Sequence, residues 1–279
     1  MGLRWRPGYT WNETIWNPSM ISTALWLDAA DASTVTQSGG VVSQWNDKSG
    51  NGRNALQPTE AYRPTYESTG LNSQPAIRFS GGSKILGFND QSLGKDVGAL
   101  TYFIVFIANQ PATADYKALF DVHTNSLYDR ATIYPRQSAF EAGGRRLDTD
   151  AYQFHQVSPL GTSATIGLAI FNYSSATLGL SLNGNNLSFR AGGFQTAGTT
   201  SNTDSTYIVI GGSGDYTSQF SSGGALTGGC DCLIAEFVCL QSAPSDPIRQ
   251  KIEGYLAHKW GLTANLPAGH PYKTTGPLP

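Results

Sequence analysis

Most of the chain alternates with a period of two, and one segment near its end switches to a helical period. PAIRFSG puts Ile77 and Phe79 on one side and Ala76, Arg78 and Ser80 on the other, as in a strand with one buried face. LTYFIVFIA is nearly continuous in apolar and β-branched residues, the pattern of a central strand covered on both sides. TALWLDAAD, GGVVSQWND, KALFDVH, ATIGLAIFNY, ATLGLSL, NLSFRA and TYIVIGG read as further short strands, punctuated by Gly, Asn, Ser and Asp. LSLNGNNLSF predicts a hairpin at Asn183-Gly184, and Asn51-Gly52 a second tight turn, because both residue types tolerate positive φ. In CDCLIAEFVCL strict alternation groups Leu233, Ala235, Phe237 and Cys239 against Cys230, Cys232, Ile234, Glu236 and Val238. Glu236 then reads as an edge or sheet-surface carboxylate, Cys239 as core, and Cys230 and Cys232 either as thiols at a surface, available for an intersubunit disulfide, or as reduced thiols on a covered face.

After that strand the period changes. Asp246-Pro247 is a helix start. Ile248, Ile252, Tyr255, Leu256 and Trp260 form one apolar stripe, and Gly261 is a natural stop. The stripe predicts a structural latch against the strands. The first residues differ again: Trp5, Trp11 and Trp16 sit among Arg4, Arg6, Pro7 and Pro18 with no period of their own. They predict an extended arm over residues 1–21, ahead of a β-domain over 22–243 and a helix with a Pro-rich tail over 244–279. Arg4, Trp5, Arg6, Trp11 and Trp16 are the expected partner-binding residues of the arm, since Trp and Arg dominate interface energetics; the alternative is that the arm packs back on its own sandwich and covers an edge strand.

Composition narrows the function classes. With 279 residues the chain can bury a large core without disulfides or metals. Only 14% of residues are charged and the formal net charge is -2, which offers no basic surface for nucleic acid. No apolar run is long enough for a membrane span. MGLRWRPGYTWNETIW lacks the apolar segment of a signal peptide, so synthesis in a cytoplasm is the expectation. Three cysteines do not make a disulfide framework.

ALWLDAADASTVT, VSQWNDKSGNGRNALQ, RPTY, PAIRFSG and IAEFVCL…SDPIRQKIEGYLAHKWGL…LPAGHPY resemble the concanavalin A-like, laminin-G-like β-sandwich domains. Those domains occur in bacterial surface proteins and in bacteriophage virion proteins such as tail fibres and capsid decorations. The resemblance spans about Ala24 to Tyr272 and is strongest at its two ends. It implies an all-β antiparallel jelly roll carrying the C-terminal amphipathic helix and the N-terminal arm. It further implies a non-enzymatic virion-surface protein, made in the host cytoplasm and forming homo-oligomers. Its partners would be other virion proteins or copies of itself, and host-surface glycans. A dedicated glycan-binding receptor module is the alternative, and a glycoside hydrolase a weaker one.

The residues bear on these alternatives. Glycoside hydrolysis needs two carboxyl groups at a set separation, yet no two of the six glutamates lie within five residues of each other. His258 and His270 lack nucleophile or metal-ligand spacing; His270 is expected to pack beside Pro271 and Tyr272. No cofactor is expected. Calcium at Asp47, Ser49 and Asn51 is the alternative to simple turn chemistry. Loops at one end of a sandwich carry binding groups, which makes Asp215 and Tyr216 in GGSGDYTSQF, and Arg145, Arg146 and Asp148 in EAGGRRLDTDAY, the candidate glycan contacts.

Overall fold

The computed structural model describes residues 16–110, 116–124, 129–190, 192–194, 196–200, 206–213 and 229–279. Arg4, Trp5, Arg6, Trp11, Asp215 and Tyr216 lie outside them. Among the described residues 17 strands pair antiparallel into one continuous wrapped sheet, followed by a helix over Asp246–Lys259. It folds into two layers. The first runs Thr65–Leu71, Gln74–Gly82, Gly229–Leu240, Ala99–Ala108, Thr165–Asn172, Thr177–Leu182 and Ser188–Phe189, with Leu25–Asp28 paired to Gly229–Leu240. The second runs Ala55–Leu56, Leu86–Asn89, Thr206–Ile210, Phe120–Thr124, Asp129–Arg136, Ala139–Gly144 and Gln153–Val157. The core between them takes Ile77, Phe79, Tyr102, Ile104, Phe106 and Phe171 from the first layer, and Phe120, Val122, Ile133 and Phe140 from the second. The alternation of PAIRFSG and the double coverage of LTYFIVFIA are both realised: Phe103 and Val105 face away from this core into a second apolar cluster.

That second cluster is the seat of the helix. Ile252, Leu256 and Trp260 have no exposed surface and Tyr255 little, while Ile248 packs at the margin. They meet Phe103, Val105, Ile166, Leu168, Leu233, Ala235 and Val238. Ser245, one residue earlier than Asp246, caps the helix, with Pro247 in its first turn. At the far end Gly261 takes φ +69° and the Leu262 N–H reaches the Ala257 carbonyl at 2.7 Å, a left-handed stop that returns the chain to the sheet. Trp16, expected to face a partner, instead packs here. It is buried, lies edge-on to Tyr255 at 5.9 Å, and donates its backbone N–H to the Pro277 carbonyl. Its indole is large enough to cover the flank of the helix, so the end of the arm belongs to its own domain.

The strand Gly229–Leu240 departs from strict alternation. Its register against Ala99–Ala108 shifts between Ile234, opposite Phe106, and Glu236, opposite Val105. Ala235 is the extra residue of a β-bulge, and a bulge turns every later side chain to the other face. Cys230, Cys232, Ile234, Phe237 and Cys239 therefore share the sandwich core, while Leu233, Ala235, Val238 and Leu240 face the helix. The bulge also delivers Glu236 to the helix side, where it is wholly buried; it is not an edge or surface carboxylate. Cys230 and Cys232, expected at a surface, are buried free thiols. Burial pushes the Cys232 thiol well up, reinforced by the neighbouring Cys230. Such thiols react slowly. A thiol reagent added to the native protein should label none of the three within the time that labels all three in denaturant. Rapid native labelling, or a disulfide-linked dimer on a non-reducing gel, would contradict this placement.

Candidate functional site

The helix seat is held by a polar network. Trp26 Nε1 and the Tyr255 hydroxyl donate to Glu236 Oε1 at 2.7 and 2.9 Å, and Trp260 Nε1 donates to Oε2 at 2.6 Å. Lys259 Nζ lies 2.7 Å from Glu236 Oε2 and 2.7 Å from Asp28 Oδ1. Lys48 Nζ lies 2.8 Å from Asp28 Oδ2 and 2.9 Å from Asp31. Asp28 and Glu236 are direct cross-strand partners, so the lysines separate two carboxylates that would otherwise repel. Burial pushes the Glu236 pKa up, more than Lys259 and its hydrogen bonds pull it down. For Asp28 burial acts the same way, but Lys259 and Lys48 together outweigh it and hold the carboxyl below its usual value. A second buried group ties the tail down: Arg249 donates to both oxygens of Glu253 at 2.9 and 3.0 Å, and His270 Nε2 lies 3.2 Å from Glu253 Oε2. His270 Nδ1 accepts from the Tyr272 N–H, so His270 packs beside Tyr272 as its sequence context suggests. These groups face inward and hold structure.

The calcium alternative fails on donor count. Asp47 Oδ1 accepts from the Trp26 and Ser49 N–H groups, and Oδ2 from the Ser49 hydroxyl and the Arg53 N–H. Asn51 turns its amide NH2 toward the Thr23 and Ala24 carbonyls, and the Arg53 guanidinium occupies the same neighbourhood. The carboxylate is committed to the turn. The loop after Ala139–Gly144 is likewise committed. Arg146 donates to the Thr196 hydroxyl and the Thr200 carbonyl and is 9% exposed. Asp150 accepts from Leu147 and Thr196. Arg145 reaches the Asp150 carbonyl and Tyr152, and Asp148 approaches Arg130 at 3.6 Å. Arg146 is thus a clamp on residues 196–200, not a free glycan contact. Arg145 and Asp148 are drawn into the same loop scaffold.

The outer face of the second layer is different. Here the residues that point away from the sandwich core stand in rows set by the register: Val209, Asp121, Thr132, Gly143 and Phe154 across five strands, then Tyr134, Glu141 and Gln156 across three; Val209, Asp121, Thr132, Tyr134 and Glu141 are buried. Thr132 donates to Asp121, and His123 Nδ1 lies 3.9 Å from the same carboxylate. Glu141 Oε2 accepts from Arg136 at 2.9 Å and Gln156 at 2.5 Å, while its Oε1 has no hydrogen-bond partner although buried. Buried polar atoms are ordinarily satisfied, so Oε1 stands out as an unpaired acceptor buried beneath this face. The rim is aromatic and cationic. Tyr116 is 55% exposed, lies edge-on to Tyr134, and stacks 4.1 Å beneath the Arg136 guanidinium; Phe154 is 44% exposed on the same face. Sequence reasoning passed over Asp121, Thr132, Tyr134, Arg136, Glu141 and Gln156. Their signal was the polar half of the alternation in FDVH, ATIYPR and FEAGG.

The two carboxylates of this face stand apart along the backbone. Asp121 and Glu141 stand two strands and two residues apart, a Cα separation of roughly 12 Å, and each is bonded to its own neighbours.

No protein-family model matches the chain, and no curated protein matches it. Solved structures do. An arabinofuranosidase complexed with arabinofuranosyl-α-1,2-xylobiose superposes with a TM-score of 0.56 at 12% identity, covering 85% of this chain and 59% of that one. The ligand-binding domain of botulinum neurotoxin serotype D, in complex with N-acetylneuraminic acid, superposes with a TM-score of 0.58 at 10% identity, covering 86% and 54%. The chain thus spans little more than half the length of either. At these identities the likeness establishes the architecture alone, an antiparallel jelly-roll β-sandwich.

Proposed function

We propose that this chain is a non-enzymatic glycan-recognition sandwich, binding sugars on the outer face of its second layer. The observation that carries the reading is that face itself: Tyr116 and Phe154 are exposed at its rim, and the half-buried Arg136 and Gln156 are held there by the buried Glu141. Aromatic rings offer the C–H faces of a sugar an apolar platform, and a few convergent polar groups orient its hydroxyls. The separated carboxylates favour binding over hydrolysis. The two similar structures were each solved with a sugar, which supports the same ligand class.

The placement of this sandwich on a bacteriophage virion surface, as a fibre or decoration joined to other virion proteins or to copies of itself, rests on the resemblance of its two ends to such proteins. It rests also on the Trp- and Arg-rich residues 1–15. The test is to delete residues 2–15 and follow both particle incorporation and the melting temperature. Lost incorporation with unchanged melting supports an anchoring arm; normal incorporation contradicts it.

A further inference from the structure

We propose that Lys259 and Asp28 condense to an intramolecular amide, with Glu236 as the proton relay. Three features of the helix seat carry this. First, Lys259 Nζ is 2.7 Å from Asp28 Oδ1. With a C–O bond of about 1.2 Å, that places the nitrogen no more than about 4 Å from Cγ, at the edge of a near-attack arrangement. Secondly, Nζ is also 2.7 Å from Glu236 Oε2, so a proton acceptor touches the nucleophile. Thirdly, all three side chains are buried, at 7%, 5% and 0% exposure, among Trp26, Trp260 and Tyr255. A pair held in a fixed geometry away from water reacts as one molecule, with effective concentrations far above those in solution. The product also replaces a buried ion pair, costly to desolvate, by a neutral amide.

The chemistry balances without an added reagent. Lys259 begins as the ammonium and Asp28 as the carboxylate. Glu236 takes a proton from Nζ, and the freed amine attacks Asp28 Cγ. Lys48, 2.8 Å from Asp28 Oδ2, stabilises the negative charge that gathers on that oxygen. The C–N bond forms and the bond from Cγ to Oδ1 breaks. Two of the three ammonium protons pass through Glu236 to Oδ1, which leaves as water. The third stays on the amide nitrogen, and Glu236 ends in its starting state. Burial raises the proton affinity of Glu236, which helps it hold the proton in transit. The cross-link would join the strand Leu25–Asp28, near the start of the domain, to the helix at its end, and so lock the sandwich against unfolding from either side.

The test is the intact mass of the full folded chain after denaturation, followed by a peptide map. The expected mass is lower than the sequence mass by one water, with the peptide holding Asp28 joined to the peptide holding Lys259. Asp28→Ala and Lys259→Met should each restore the sequence mass. Glu236→Gln should restore it in protein shown to be folded by its near-ultraviolet circular dichroism. An unshortened mass in the folded wild-type chain overturns the proposal, whatever the variants do. So does a lost water that maps to any other residue.

Discussion

Replacing Glu236 by Ala should lower the folding stability of this protein by about 3–5 kcal/mol, the cost of removing one partner from a buried charged network. Trp26 Nε1, Trp260 Nε1 and the Tyr255 hydroxyl all donate to this carboxylate, and Lys259 leans on it. Without it these donors remain in an apolar seat with no acceptor. Glu236→Gln keeps one carbonyl oxygen and should cost less, about 1–3 kcal/mol. Urea unfolding followed by tryptophan fluorescence measures both, since two of the donors are indoles. A Glu236→Ala midpoint within experimental error of wild type would show that the bulge positions nothing important.

Removing the helix and tail, by truncation after Ala243, should abolish cooperative folding. The cut exposes Phe103, Val105, Ile166, Leu168, Leu233 and Val238, together with the partners they lose, Ile252, Leu256 and Trp260. Each buried large apolar side chain contributes roughly 1.5–3 kcal/mol, and a whole domain is stable by only about 5–15 kcal/mol. Loss of several at once exceeds that margin. The truncated chain should be insoluble, or soluble with far-ultraviolet but no near-ultraviolet circular dichroism. A sharp thermal transition near that of the full chain would refute the latch.

The helix and its buried side were legible because a helical stripe is a pattern over many residues: Ile252, Tyr255, Leu256 and Trp260 point one way whatever they meet. The sandwich was legible for the same reason, in the repeated alternation of strands such as PAIRFSG. The bulge was not. In CDCLIAEFVCL almost every residue is apolar, so inserting Ala235 leaves no break in the alternation to read, yet that one residue decides whether Glu236 and the cysteines face core, helix or solvent. Trp16 was misplaced because an indole without local periodicity looks the same whether it docks on a partner or on its own helix. Arg146 looked like a loop contact because its acceptors, Thr196 and Thr200, lie some fifty residues away in sequence. The polar sheet face stood in plain alternation, but a search for motifs weighs spacing along the chain. Its residues converge only through the register of four strands.

The most direct test of the glycan-recognition reading is to titrate the full chain with a panel of soluble oligosaccharides spanning neutral and acidic sugars. It is repeated with Tyr116→Ala and Phe154→Ala, two exposed rim residues whose loss should leave the melting temperature nearly unchanged. Saturable binding of at least one sugar by the wild-type chain, weakened tenfold or more by either rim substitution at about 1.4 kcal/mol per tenfold, is the predicted result. No binding across the panel, or binding that both substitutions leave intact, would contradict it.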